Sequence, residues 1–437
     1  MKGDVWMDLA IIQKSIDYIE DNLKAEITAE ELSEMAGFSI FHYYRLFQRA
    51  VGMPVMQYIT RRRLLNALYE MHCGVKMIDA ALDYGFDTQA GFYKAFVREF
   101  GYTPTEFLHV SRKRKPYKVN LFKEEHIMVS HKKIKEVLVN WGLENEKIAD
   151  IVYAETGNVS ESACYVGNDY IIKFTANLGN AEKHIALSQA IESVGLSSAT
   201  PIAAIKGEYV VSHEDLYFYV TKRLKGKQLK ASTMYLEDYI PKARFIGEII
   251  GQLSIALGKV DVVTNHANIL QTATDWAIPV LVEKMDLPKT FVEEYKNEFA
   301  SVYDTLPQQI IHRDPNPGNL ILDGENWGIL DFDLSETNVR IFDPCYAATA
   351  ILSESFEAGN TEKLKQWVDV YKNIMYGYDE VVKLSENEWK AIPYVVITNQ
   401  LISTAWFAGQ EKFQELYEIN RQMTEWMLQN FDNLIFD

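Results

Sequence analysis

Apolar residues return at helical spacing at Ile12, Ile16 and Ile19, which predicts an amphipathic helix early in the chain. A second helix starts after Ile27, where Thr28 is the N-cap and Glu31 stands three residues on, and it stops at Gly37. Ser39 caps a third, whose Tyr43, Leu46 and Phe47 lead to Gly52. The same grammar recurs 49 residues later: Ile78, Ala81 and Leu82 precede Gly85-Phe86, Thr88 replaces Ser39, and Phe92, Phe96 and Gly101 match Tyr43, Phe47 and Gly52. A helix from about Val55 to His72, with Tyr58, Arg63, Leu64, Ala67 and Leu68, joins the two repeats. The pattern is a doubled helix-turn-helix.

The pattern then changes. Arg112-Lys113-Arg114-Lys115 ends at Pro116, a helix breaker, and the basic run is either a solvated linker or a contact to a polyanion. Residues 117–129 read as linker or a short strand, and His131 to Trp141 as a helix stopped by Gly142. Ile151-Val152-Tyr153, Cys164-Tyr165-Val166 and Tyr170 to Phe174 are short β-branched and aromatic runs that predict a three-stranded meander, and Tyr217 to Leu224 adds a strand before Gly226. Beyond it, 242–258, 361–378, 386–408 and 411–431 carry helical periodicity.

One stretch carries chemistry. Between apolar runs lies His312-Arg313-Asp314-Pro315-Asn316-Pro317-Gly318-Asn319, and a second apolar run ends in Asp331-Phe332-Asp333. Asp, Asn, Pro and Gly are turn formers, so the first segment alone is also an ordinary turn. The second motif changes that reading. Phosphoryl transfer needs a carboxylate to orient and deprotonate a hydroxyl, which fits Asp314, and oxygen ligands for Mg²⁺, which fit Asn319 and Asp331. Lys173, closing an apolar strand, suits a cation on the α- and β-phosphates of ATP, and Glu182 on the following helix is the acid that would hold it. The Gly157 to Ser162 connection, including Ser160, reads as a phosphate-covering loop, and the adenine would sit near Val220 to Arg223, which brings in Thr221 and Arg223.

Composition bounds these readings. The chain of 437 residues is long enough for several cores, and 48% hydrophobic residues mark a globular protein. Cys73, Cys164 and Cys345 are far apart, so neither a disulfide framework nor a zinc site is expected; with no basic leader or long apolar stretch, the expectation is a cytoplasmic protein with no membrane span. Residues 1–115 hold 15 Lys+Arg against 15 Asp+Glu, so the net charge of −17 belongs to the remainder. A neutral head with clustered Arg can still carry a DNA-binding face.

The second helix of each repeat would enter the major groove. Its outward face carries Ile40, Phe41, Tyr44, Arg45 and Gln48 in the first repeat, and Gln89, Tyr93 and Lys94 in the second. The aromatics Tyr43, Phe47, Phe92 and Phe96 belong instead to a small helical core. Over residues 8–110 the sequence resembles the DNA-binding domain of AraC-type transcriptional regulators, through Ser39, Tyr43, Arg45, Phe47, Gly52, Tyr58, Arg63, Ala67, Gly85-Phe86, Phe92, Phe96, Gly101, Pro104 and Phe107. It departs from them in carrying Gly91 inside the second reading helix. The resemblance implies a double-stranded DNA operator as partner.

Over residues 131–437 the chain resembles the aminoglycoside phosphotransferase and choline kinase superfamily, through Lys173, His312 to Asn319, Leu330-Asp331-Phe332 and Phe342-Asp343-Pro344. That resemblance implies Asp314 as base, Asn319 and Asp331 as Mg²⁺ ligands and Lys173 on ATP. Arg313 stands where glycine is common. The short distance from Asp331 to Asp343 leaves no room for an activation segment, which favours a small-molecule hydroxyl acceptor. Asp333 and Glu336 would suit a cationic one, and aromatic residues such as Trp367, Tyr371, Tyr378 and Trp389 either line its pocket or fill the core. The expected architecture is multidomain: an all-α double helix-turn-helix domain (1–111), a linker (112–130), and an α+β kinase-like domain with an N-lobe (131–225) and a helical C-lobe (226–437). Two functions remain open, a regulator fused to an O-phosphotransferase and a regulator whose kinase-like domain is a non-catalytic ligand sensor.

Overall fold

The computed structural model describes residues 2–111, 113, 115–121, 128–152, 159–193, 195–285, 287–323, 326–410 and 413–436. The chain divides into two compact units, Met1–Ala181 with Pro201–Arg223, and Glu182–Thr200 with Leu224–Asp437.

The first unit opens with seven helices: α1 (Lys2–Asp21), α2 (Ala29–Ala36), α3 (Ile40–Val51), α4 (Val55–His72), α5 (Met77–Asp83), α6 (Gln89–Phe100) and α7 (Pro104–Val110). Their ends are set by local chemistry. The amides of Glu31, His42 and Gly91 donate to the side-chain oxygens of Thr28, Ser39 and Thr88, and Gly37, Gly52 and Gly101 end α2, α3 and α6 in the left-handed region. Gly91 therefore sits in the first turn of α6, where its amide is satisfied by the cap and the cost of glycine is small. Tyr43, Phe47, Tyr58, Phe92, Phe96, Phe100 and Phe107 fill one core, as the repeat predicts.

The chain continues through α8 (His131–Leu138), β1 (Ile148–Val152), β2 (Val159–Val166), β3 (Tyr170–Thr175), α9 (Leu178–Ser193), β4 (Ser197–Ser198), β5 (Pro201–Ile202), β6 (Val211–His213) and β7 (Leu216–Lys222). The antiparallel order β1-β2-β3-β7-β5, with β6 on β7, completes the first unit. Ile134, Val137, Leu138 and Trp141, from α8 and the turn after it, pack on the Ile148, Cys164, Val166, Ile172, Phe218 and Val220 side of that sheet. The meander is the one expected, but β2 starts at Val159, so Ser160 belongs to a strand and not to the connecting loop. It is 6% exposed. Residues 153–158, which include Tyr153 and the Gly157-Asn158 part of the expected phosphate loop, lie outside the described residues, as do Arg112 and Arg114.

The second unit holds α9 from Glu182 and β4, then β8 (Lys227–Gln228), α10 (Tyr239–Leu257), α11 (Ile269–Thr272), α12 (Ile278–Met285), α13 (Lys289–Tyr303), β9 (Gln308–Ile311), β10 (Leu320–Asp323), β11 (Asn326–Ile329), β12 (Glu336–Val339), α14 (Phe342–Ser355), α15 (Thr361–Val381), α16 (Glu386–Ala408) and α17 (Gln414–Gln429). Strands β4-β11-β10-β8 form one small sheet and β12-β9 another. The helices surround a core that includes Tyr295, Phe299, Trp367, Tyr371 and Tyr378, so those aromatics are core and not pocket. Among the described residues no helix is long and apolar enough to cross a membrane.

Candidate functional site

Strand β9 delivers the chain to His312, and the loop after it is fastened from two sides. The carboxylate of Asp343, in the first turn of α14, accepts the amides of His312 at 2.9 Å and Arg313 at 2.8 Å. Burial pushes that carboxyl up to about 6. The His312 ring is buried, donates from Nε2 to the Leu330 carbonyl at 2.8 Å, and lies 5.0 Å from the Phe332 ring. One histidine thus ties the first motif to the second. Arg313 and Asp331 both sit in the left-handed region, at φ 71° and 65°. The glycine common at the Arg313 position is explained by this backbone.

Asp314 is held on every side. Asn316 Nδ2 donates to Oδ1 at 2.8 Å, Asn319 Nδ2 donates to Oδ2 at 3.2 Å and to the Asp314 carbonyl at 2.8 Å, and the Tyr346 hydroxyl, from α14, is also hydrogen-bonded to the carboxylate. Burial raises the Asp314 pKa above the usual carboxylate value, with nearby Asp331 adding to the rise and Asn316, His312 and Tyr346 opposing it. Because Asp314 takes the Asn319 amide nitrogen, the amide oxygen is left for a cation. With Asp331 close by, the donors are hard oxygens, the set that suits Mg²⁺. On the other side of Asp331, His184 Nδ1 from α9 donates to Asp333 at 3.0 Å, and Lys183 Nζ donates to the Asp333 carbonyl at 2.7 Å. Ligand atoms of His184, Asp331 and Asp333 all lie within 4.8 Å of one another.

Three of the expected residues, Asp314, Asn319 and Asp331, are therefore brought together. Others are placed differently. Glu182 is exposed on α9 and has no ion pair among the described residues; its neighbours Lys183 and His184 are the ones that reach Asp333. Glu336 is buried and paired with Arg313 Nε at 3.0 Å, so it is committed within the fold and does not offer itself to a cationic acceptor. In the first unit Lys173 lies on β3, in register with Tyr219 of β7. The Thr221 hydroxyl is 1% exposed and has no hydrogen-bond partner among the described residues. Arg223 stacks its guanidinium 4.1 Å over the Tyr165 ring and donates its amide to the Asp169 carbonyl at 2.8 Å. Sequence reasoning missed Tyr346, Asn316, Lys183 and His184. Tyr346 had a signal, since it lies three residues after Asp343 on the helix that Asp343-Pro344 begins.

On the doubled helix-turn-helix, Phe41 is 82% exposed and Arg45 is exposed on α3, while Gln89, Tyr93 and Lys94 are exposed on α6. Gln48 is half-buried. Ile40 and Tyr44 lean against the core, so their share of the outward face is partial. Two further cations were overlooked. Arg49 and Arg98 occupy equivalent places in the last turns of α3 and α6, and both are exposed. Arg63 has an inward role, donating to the carbonyls of Leu23 at 2.8 Å and Ala25 at 2.6 Å.

Comparison with known proteins agrees with this division. Residues 32–109 match a helix-turn-helix domain family. The chain is 35% identical over 97 residues to the HTH-type transcriptional activator AarP of Providencia stuartii, of which it covers 72%. The chain belongs to the AraC-type helix-turn-helix family. It is also 40% identical over 97 residues to the HTH-type transcriptional regulator YbfP of Bacillus subtilis, but spans only 32% of that relative's length. Residues 157–367 match the phosphotransferase enzyme family. Across 67% of this chain and 92% of the other, the fold is similar to that of an amicoumacin kinase solved with AMP-PNP, Ca²⁺ and Ami, at a TM-score of 0.52 and 14% identity. An AraC-type head is thus fused to a phosphotransferase-type domain of helices and mostly antiparallel sheets.

Proposed function

We propose that the chain is a cytoplasmic DNA-binding regulator fused to an ATP- and Mg²⁺-dependent small-molecule O-phosphotransferase. The observation that carries this reading is the buried Asp314 carboxylate, oriented by Asn316 and Asn319 and close to Asp331. Asp314 accepts the proton of the acceptor hydroxyl as that oxygen attacks the γ-phosphorus of ATP, whose bond to the β–γ bridging oxygen breaks and releases ADP. Asn316, Asn319 and Tyr346 keep the carboxylate aimed, and Asp343 and His312 keep its loop in place. Mg²⁺ held by Asn319 and Asp331 would neutralise charge on the β- and γ-phosphates. Lys173 serves the α- and β-phosphates, and the Thr221 hydroxyl, which has no hydrogen-bond partner among the described residues, is the group assigned to the adenine. The amicoumacin kinase of similar fold, solved with AMP-PNP, supports a nucleotide as donor. Phe41, Arg45, Gln48, Arg49, Gln89, Tyr93, Lys94 and Arg98 form the face toward double-stranded DNA.

The test is ATP turnover by the full chain with Mg²⁺ against a panel of aminoglycosides, macrolides, amino alcohols and amino sugars, with Asp314→Ala as control. Acceptor-dependent turnover that falls by about 10²–10⁴-fold in the variant is expected, the range for removal of a general base. Nucleotide binding without turnover for any acceptor would instead make the domain a ligand sensor.

A further inference from the structure

A charge cluster of the first unit is buried between the helix-turn-helix head and the sheet. Arg61, midway along α4, reaches Asp150 on β1 at 2.7 Å and Glu99 in the last turn of α6 at 3.2 Å, and its guanidinium lies 4.7 Å from the Phe100 ring. The side chains of Arg61, Glu99 and Asp150 are only 12%, 7% and 3% exposed. Asp150 also accepts from His131 Nε2 at 2.7 Å, at the start of α8, and has Cys164 Sγ on β2 at 3.7 Å. His131, Asp150 and Cys164 are close enough to hold a metal ion. Arg61 already supplies the cation on that carboxylate, so the cluster is an ionic joint.

Packing reinforces the joint. Gly101, at φ 75°, ends α6 directly against β1, and a Cβ there would come within 2.2 Å of the Ile148 carbonyl oxygen. Val152 of β1 and Val159 of β2 pack into the core of the head, and Lys147 lies 5.9 Å from the Tyr102 ring. The Met128 amide donates to the Val51 carbonyl at 2.9 Å, fastening the end of α3 as well.

The position of the joint gives it a consequence. Strand β1 pairs with β2, and β2 pairs with β3, which carries Lys173. Helix α6 is the second DNA-reading helix. A buried ion cluster is satisfied only in a narrow geometry, so a shift of β1 forces either α6 or the cluster to give way. We propose that nucleotide occupancy at the sheet sets the pose of α6 through Arg61, Asp150 and Glu99, so that ATP is an allosteric effector of DNA binding and DNA an effector of ATP binding by the same factor. This deepens the function proposed above and rests on it.

The experiment uses the full chain, a duplex selected by it from a random-sequence pool, and Mg-AMP-PNP as nucleotide probe. Nucleotide affinity is measured by calorimetry, and duplex affinity by anisotropy with and without saturating nucleotide. Hydrogen exchange of residues 89–100 is followed in parallel. In the native chain the duplex Kd is expected to change by about 5–150-fold, the usual span of allosteric coupling, with altered exchange in α6. In Asp150→Asn and Arg61→Lys the coupling is expected to fall toward unity while each ligand still binds, whereas Lys133→Gln, which breaks the Lys133–Glu214 pair elsewhere in the unit, leaves it unchanged. If the variants do not fold, native-chain exchange decides. Nucleotide that binds yet moves neither duplex Kd nor α6 exchange overturns the coupling and leaves the phosphotransferase standing. No nucleotide binding at all overturns both.

Discussion

Arg313 is a test of how strictly the loop from His312 to Asn319 needs its backbone. Its left-handed φ of 71° costs a non-glycine residue about 1–3 kcal/mol, whereas its part-exposed ion pair with Glu336 returns at most about 1 kcal/mol. Arg313→Gly should therefore leave the stability of the second unit close to native, and Arg313→Ala, which keeps the strain and loses the pair, should lower it by about 1 kcal/mol; urea denaturation read on that unit checks the order. Asp314 gives the second prediction. Burial raises its pKa, so for the proposed base kcat should rise with pH as Asp314 loses its proton, at a higher pH than for a solvent-exposed aspartate. The Tyr346 hydroxyl stabilises the carboxylate, so Tyr346→Phe should move the acid limb of the kcat profile to higher pH; a limb that stays in place or moves down would remove Tyr346 from the site. The motif residues were legible because chemistry fixes their spacing in sequence. Tyr346 and Asn316 were not, because what matters about them is where α14 and the turn place their side chains.

Helices and strands were legible where periodicity is long and hidden where pairing decides. The spans of α4 and α16 agree with the sequence reading to the residue. Strand β2 was read too short because Ser160-Glu161-Ser162 has poor strand propensity, and the Val152–Val159 pairing overrides it. Close helix contact was also invisible. Helices α10 and α15 meet through glycines: a Cβ at Gly247 would come within 2.1 Å of the Ile374 carbonyl oxygen, and one at Gly377 within 2.0 Å of that of Arg244. Neither glycine has a positive φ, so the requirement is space alone. Gly247→Ala should force the helices apart and destabilise the second unit by about 1–3 kcal/mol, the usual cost of overpacking. A thermal melt unchanged by that substitution would mean that the contact is looser than described.

At the scale of the whole chain, the change in charge near residue 115 marked a change of partner, and the family match at 32–109 agrees with it. Charge did not reveal which parts pack together. Residues 117–121, read as linker, lie against the head: the Tyr117 carbonyl accepts from Arg62 at 2.5 Å, and Val119 is buried. The first sheet shares a compact unit with the head, an arrangement built from contacts such as Arg61 with Asp150 that join residues 89 positions apart. If one chain holds two separable activities, the most direct measurement scores both on the same samples. Duplex affinity at physiological salt and acceptor-dependent ATP turnover are determined for the native chain, Asp314→Ala and Arg45→Ala. Asp314→Ala is expected to lose turnover with duplex affinity intact, and Arg45→Ala to lose roughly tenfold or more in duplex affinity, in line with about 1–3 kcal/mol for a base contact, with turnover intact. Turnover that survives Asp314→Ala, or duplex binding untouched by Arg45→Ala, would contradict that reading.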